Sequence, residues 1–441
     1  MTTRIPRRAI AGAAALAAAT LAAACNKDPV LVGVTAPSSA PFMARYVAIG
    51  NSITAGYQSG GINDSTQRRS YARMLAIAAG ATYRYASLKA PGCPPPVINF
   101  LTQARTASGD TTSTCALRDT ASFTASLNNV AVPGANSFDA VGRGLSAGAA
   151  GSLTTGGYNI LTGLILGGQT QLQRAVQLNP TFATVWIGNN DVLAGALTYA
   201  GDSTRATTLA NFVSNYSTLV NGLTSGSPNL KGGVLIGVVD PTNVPILIPL
   251  AVFSQPTVGG APNPAYQAVL GIFGVGTRRP LTFQIGFDPS CSTGSPAITF
   301  PALAGLAAAI PAAAPGYVFN CTDTRAQTPN LVSESERQFY VNRVIAYNTY
   351  IHAKADSIGW AYLDPNPLFL QLKQAGAIPL FPNLANPTAP FATAGGRYIT
   401  NDGVHPSTTA HFVLANTLIT LINTKYGSTI RAITAADTTG L

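Results

Sequence analysis

Tyr46-Val47-Ala48-Ile49-Gly50-Asn51-Ser52-Ile53-Thr54-Ala55-Gly56 is the stretch on which the fold reading turns. Four apolar residues run into a glycine, which reads as a buried strand entering a tight turn. Working outward, Arg69–Ala79 and Gln169–Gln177 read as helices, the second closed by Asn179-Pro180. A second buried strand is expected at Phe182–Ile187, a helix at Leu209–Leu223 and a third strand at Val234–Val239. Ser333-Glu334-Ser335-Glu336 matches a capping box. The helix behind it would place Val341, Val344, Asn348, Ile351 and Ala355 on one face and stop at Gly359. Trp360–Leu363 reads as another strand, and Ser407 caps a last helix that turns Leu414, Leu418 and Leu421 inward and ends at Gly427. Strands alternating with helices point to an α/β fold whose parallel sheet is covered on both faces.

Two stretches interrupt the alternation, about 90–128 and about 252–332. Loops of that length inside a compact domain are functional covers or small subdomains, and the apolar, proline-broken second one is the expected substrate cover. The body is expected to span 45–427, followed by a C-terminal tail at 428–441. With 46% hydrophobic and 10% charged side chains over 441 residues, the chain can bury a large core and does not read as disordered.

The first 24 residues read as a signal peptide: Arg4, Arg7 and Arg8 precede the small apolar run Ala9–Ala24. Arg7-Arg8 also hints at twin-arginine export. Leu21-Ala22-Ala23-Ala24-Cys25 resembles a lipobox, with Leu21 one place further from Cys25 than usual, so Cys25 is the expected lipidation site. Residues 25–44 would then tether the body to a membrane, making the protein an exported, membrane-anchored bacterial lipoprotein, periplasmic or at the cell surface. The formal charge of +10 falls to +7 once the three signal arginines leave, and the remaining basic residues are dispersed. That speaks against a nucleic-acid partner, and a monomer is expected. Export permits disulfides. Proximity favours Cys93 with Cys115 and Cys291 with Cys321, although four cysteines allow three pairings. Their spacing matches no zinc pattern, so no metal is expected.

Three segments at strand ends carry candidate chemistry. Ser52 directly follows a strand, where backbone N–H groups favour developing negative charge, although alone it reads as an N-cap. Gly188-Asn189-Asn190-Asp191 offers an amide donor, and Asn401-Asp402-Gly403-Val404-His405 sets an acid three residues before a histidine. That spacing lets the carboxylate accept from one ring nitrogen and leaves the other free as a base. His352 and His411 read as packing residues, and Asp240 as a possible cleft residue.

Taken together the segments resemble the SGNH, or GDSL-like, hydrolase family. Its Gly-Asp-Ser-Leu/Ile block stands here as Gly50-Asn51-Ser52-Ile53, and its glycine block as Val132-Pro133-Gly134-Ala135. Its Gly-x-Asn-Asp block is Gly188-Asn189-Asn190-Asp191, and its Asp-x-x-His block is Asp402-Gly403-Val404-His405. The order is the family's own. The resemblance implies a three-layer α/β/α, flavodoxin-like fold with a five-stranded parallel sheet and long loop insertions. It makes Ser52 the nucleophile, His405 the general base and Asp402 its orienting acid. Its oxyanion hole would be the Ser52 and Gly134 amides and the Asn190 side chain, and no cofactor is needed. The implied substrate is a carboxylic ester, and the apolar insertion suggests a fatty-acyl one. A carbohydrate O-acetyl esterase and a non-catalytic surface-binding lipoprotein on the same fold are the alternatives. Asn51 departs from the family's acid at that place but keeps a polar capping side chain.

Overall fold

The computed structural model describes residues 41–99, 104–106, 126–142, 160–198, 201–292, 294–322, 331–379, 381 and 396–438. Its centre is a parallel sheet of four strands in spatial order β1 (Tyr46–Gly50), β2 (Phe182–Trp186), β3 (Gly232–Ile236) and β4 (Ala361–Leu363). Val47 pairs with Ala183, Thr184 with Val234, and Val234 with Ala361. β1, β2 and β3 are buried along their whole length, because alternate side chains meet helices on opposite faces.

On one face Val47, Ile49, Ala183, Val185 and Leu235 pack against helices α2 (Gln171–Gln177), α3 (Leu209–Gly226) and α4 (Glu334–Ser357). On the other, Tyr46, Ala48, Phe182, Trp186, Val234 and Ile236 pack against α1 (Tyr71–Ala78) and α6 (Thr408–Tyr426). The three-layer α/β/α architecture expected from the sequence is therefore present.

The fifth sheet position is irregular. Backbone at 128–132 runs parallel beside β1, with Ala48 N donating to Asn128 O at 2.7 Å and Val130 N to Ala48 O at 3.0 Å. It does not become a regular strand because local side chains compete for the ladder: Asn128 Nδ2 donates to Tyr46 O, and Asn129 Oδ1 accepts from Ala131 N. With this segment counted second in chain order, the spatial order is 2-1-3-4-5, that of flavodoxin-like sheets.

The helices begin where their caps allow. Ser70, Thr170, Thr208, Ser333 and Ser407 each accept a first-turn amide with the side chain. Ser333 and Glu336 form the capping box read from the sequence, and Gly427 closes α6 at φ +63°. On α4 the buried stripe is Tyr340, Val344, Tyr347, Asn348, Ile351 and Ala355, with Val341 only half-buried. Two tyrosines take part because their hydroxyls find backbone carbonyls, those of Asp202 and Thr207.

The packed body reaches past both expected limits. Met43 is fully buried and the Phe42 ring lies 5.2 Å from that of Phe182, so Pro41–Ala44 belong to the body and not to a tether. At the other end Ile430 and Ile433 are buried, and Asn423 and Asn416 bind their backbones. Residues 428–433 are therefore docked chain and not a loose tail.

Within the second insertion a separate apolar cluster gathers Phe253, Phe273, Ile298, Leu303 and Phe319 around a small antiparallel sheet of Leu247–Pro249, Ala297–Thr299 and Leu331–Val332. A Cys291–Cys321 disulfide clips it. Cys93 is also disulfide-bonded; Cys115 and Cys25 lie outside the described residues.

Candidate functional site

The segments singled out at β1, β2 and the start of α6 converge at the carboxyl end of the sheet. Ser52 is 7% exposed and opens the one-turn helix Ser52–Ala55. Asn51, the departure from the family's acid, caps that turn through Oδ1, which accepts from Ile53 N at 3.2 Å. His405 Nε2 lies 2.9 Å from Ser52 Oγ, and His405 Nδ1 lies 2.7 Å from Asp402 Oδ2. The continuous chain Ser52–His405–Asp402 has the geometry of a nucleophile, a base and an orienting acid.

Why three residues separate Asp402 from His405 is visible in the backbone. Asp402 Oδ1 accepts from the amides of both Val404 and His405 at 2.9 Å, folding the loop back on its own carboxylate while Oδ2 reaches the ring. Gly403 sits at φ +71°, and a Cβ there would come within 2.9 Å of Ile246 and 3.0 Å of Phe381, so both conformation and space demand glycine. Gly60 N also donates to Oδ2 at 2.6 Å, and Thr400 Oγ1 to Oδ1 at 3.0 Å. Burial opposes ionisation of Asp402, but the His405 charge and these donors outweigh it and hold the carboxyl well below its ordinary range. The acid therefore stays a carboxylate that can stabilise a charged imidazole.

The Tyr57 ring packs 4.8 Å from the His405 ring. Burial first, and the nearby Asp402 charge second, push its hydroxyl up to about 12, so it remains neutral beside the dyad. Sequence reading missed Tyr57, Gly60 and Thr400; none lies in a motif, and only their partners reveal them.

Block by block, the oxyanion candidates are not equivalent, and Gly134 is not among the residues that line the pocket. Asn190 and Ser52 line the same pocket. Asn190 Nδ2 donates one hydrogen to Ala135 O at 2.8 Å, which leaves the amide's second hydrogen for another acceptor. That bond ties the Gly134 loop to the end of β2, and Gly134 itself takes φ +80°. Asp191 tightens the same junction: its carboxylate accepts from Ser137 Oγ at 2.6 Å and from Ser137 N at 2.8 Å. Its burial raises its pKa to about 6 against these bonds.

Of the residues outside the motifs, His411 is fully buried. Its Nδ1 accepts from Tyr71 N at 3.2 Å, and burial lowers its pKa to about 3. It is a neutral packing residue. His352, read as a packing residue, is mostly exposed, and its ring stacks on Tyr362 at 4.4 Å. Asp240 does not line the pocket. It caps the turn Pro241–Asn243 through Thr242 N.

A pocket opens beside Ser52 and His405. Beyond the motif residues its lining is almost wholly apolar, supplied by Leu193, Val244, Leu368, Phe369, Leu372 and Val413 among others. No described residue of 252–332 is among those lining it. The expected substrate cover is therefore a self-packed subdomain in the described structure, and most of the apolar wall comes from the segments after β3 and β4.

A family model described as GDSL-like lipase/acylhydrolase matches residues 46–273. The chain belongs to that family. Hydrolysis of esters is the general chemistry that membership carries. The matched stretch contains Ser52, Gly134 and Asn190 but stops far short of Asp402 and His405, which the fold brings back to the serine. No curated protein matches the chain.

Proposed function

We propose that the protein is an exported, lipid-anchored serine ester hydrolase acting on fatty-acyl esters. In this reading His405 Nε2 takes the Ser52 proton as Oγ attacks the ester carbonyl. The alkoxide leaves with a proton returned by His405, and water then releases the acid from the acyl-enzyme by the same steps. Asp402 keeps the ring oriented and stabilises its charged form. The Ser52 and Gly134 amides and the free hydrogen of Asn190 would hold the oxyanion.

The observation that carries the reading is the unbroken Ser52–His405–Asp402 hydrogen-bond chain at the wall of an apolar pocket. An acetyl group would touch little of this apolar lining, which favours a longer acyl chain over the O-acetyl esterase alternative. The test is hydrolysis of p-nitrophenyl esters from acetate to palmitate by the mature protein beside Ser52→Ala. Activity lost in the variant and higher on chains longer than acetate is expected; hydrolysis confined to acetyl groups would sink the fatty-acyl part. The anchor rests on the Leu21–Cys25 sequence alone. Mass spectrometry should find acyl groups on Cys25, and Cys25→Ser should release the protein from the membrane fraction. An unmodified cysteine would remove the anchor from the reading.

A further inference from the structure

Helix α5 (Asn366–Gln374) is amphipathic, yet none of its residues is fully buried by protein. An apolar stripe on a helix needs a partner. The stripe here is Leu368, Phe369 and Leu372, and all three line the pocket beside Ser52 and His405. Leu370, on another side of the helix, is 37% exposed.

The helix is held at both ends. Asn366 Nδ2 donates to Val238 O at 2.9 Å, and Asn366 Oδ1 accepts from Asp240 N at 2.8 Å, fixing the first turn to the end of β3. Near the last turn Lys373 Nζ donates to Asn243 O at 3.0 Å. Asn243 stands between Pro241 and Val244, which line the same pocket, so this bond ties α5 to the neighbouring wall. A third part of the wall, Val413 and Leu414, belongs to α6, the helix entered directly from His405. The apolar surface is thus continuous with the reacting pair and supported at fixed points.

We propose that α5 selects the acyl chain, with Leu368, Phe369 and Leu372 setting the length of chain that the pocket accepts. This rests on the fatty-acyl ester hydrolase reading and adds the residues that decide among its substrates. The occupant is the hydrocarbon tail of the ester bound at Ser52, because the pocket's polar lining comes almost wholly from the motif segments and the rest offers only apolar contact. Each methylene buried along this wall raises kcat/KM about fourfold, until the chain outgrows the pocket.

The test compares chain-length profiles of the full mature protein, Leu372→Trp, Phe369→Ala and the outward-facing control Leu370→Trp. Leu372→Trp should lower the ratio of decanoate to acetate hydrolysis about tenfold or more. Phe369→Ala should move the optimum toward longer chains, and Leu370→Trp should keep the parent profile. If Ser52-dependent hydrolysis persists with the same profile in both pocket variants, the selector role is overturned while the hydrolase reading stands. If the parent shows no Ser52-dependent hydrolysis of any chain length, the hydrolase reading falls and takes the selector with it.

Discussion

The α/β/α body and the subdomain inserted after β3 both bury apolar side chains, but they are held in different ways. In the body, two helical layers close over a parallel sheet, and buried polar groups such as Ser52, Asn189 and Asp191 stand at the sheet end where the motifs meet. In the subdomain, short strands and helices gather around phenylalanines, and the organising polar group is one buried cation. Arg279, 3% exposed, donates from Nε to Phe273 O at 2.7 Å and from Nη2 to Ala307 O at 2.7 Å and Ile310 O at 2.8 Å, with a further bond to Pro311 O. One guanidinium thus satisfies the carbonyls at the ends of two helices, where its charge also meets their dipoles. The body positions chemistry through many shared backbone contacts. The subdomain folds largely on itself and meets the Asp402–His405 loop at Ile246, whose amide donates to Gly403 O at 3.0 Å, and at Phe381.

If that division of labour is right, damage to the triad should cost the most activity. Asp402→Asn should lower kcat by about 10³- to 10⁴-fold, because the amide favours the wrong ring tautomer. Thermal stability should fall as well, because the buried carboxylate accepts from the Gly60, Val404 and His405 amides and an amide cannot replace both of its oxygens. A near-normal rate in this variant would mean that His405 is oriented by something other than Asp402.

The next largest effect tests the junction itself. Gly403→Ala forces a left-handed residue against Ile246 and Phe381, so the loop must shift. A displacement of about 1 Å at the base costs about 10²-fold in rate. Combining it with Ile246→Ala should recover part of that loss if the clash is the cause. No recovery would place the fault in the Phe381 contact or the backbone conformation and not in Ile246.

The same division explains what was legible in the sequence. The body's strands and caps follow periodicity and local chemistry: four apolar residues before Gly50, Ser333 with Glu336, Ser407 before α6. These interactions are short in sequence, so one chain suffices to read them. The Asp402–His405 geometry was readable for the same reason, since its hydrogen bonds span three residues. The apolar pocket wall was not. Leu368, Phe369 and Leu372 have a helical spacing in the sequence, but nothing in that spacing says whether they face a core or a pocket. The insertion was misread as a cover because apolar composition cannot distinguish a subdomain that packs on itself from one that packs on substrate. The fifth sheet position failed where Asn128 and Asn129 take backbone bonds that a regular strand would have made.

Smaller still is the effect of the subdomain's arginine on its own region. Arg279→Lys keeps the charge but loses the planar fork that reaches several carbonyls, and should cost about 2 kcal/mol of stability. Hydrogen exchange should rise in 264–321 and not in the body, and hydrolysis of the acetate ester should stay within about twofold of the parent. A loss of activity matching the loss of protection would show that the two regions unfold as one.

The smallest effect concerns two buried groups of the body that pull stability in opposite directions with pH. Asp191 has a folded pKa of about 6, raised by burial above its unfolded value. Its ionised form is therefore costly in the native state, and the native state gains stability as pH falls through that value, by about 1 kcal/mol between pH 7 and pH 5. His411 does the reverse. Its folded pKa is lowered to about 3, so as pH falls through the ordinary histidine range the unfolded chain takes up a proton that the native chain refuses, costing about 2 kcal/mol over the same interval. Asp402, held low, contributes stability that is lost only as pH falls below the unfolded carboxylate range, so it is silent here. The parent should accordingly lose about 1 kcal/mol between pH 7 and pH 5. Asp191→Asn removes the opposing gain and should lose about 1 kcal/mol more over that interval. Its stability at a single pH also changes, because Ser137 donates twice to the carboxylate and an amide offers only one acceptor. The pH slope from denaturant titrations, not the absolute value, is the quantity that decides. Equal slopes in parent and variant would mean that Asp191 does not titrate in this interval, and that the clasp between the Gly134 loop and β2 is insensitive to pH.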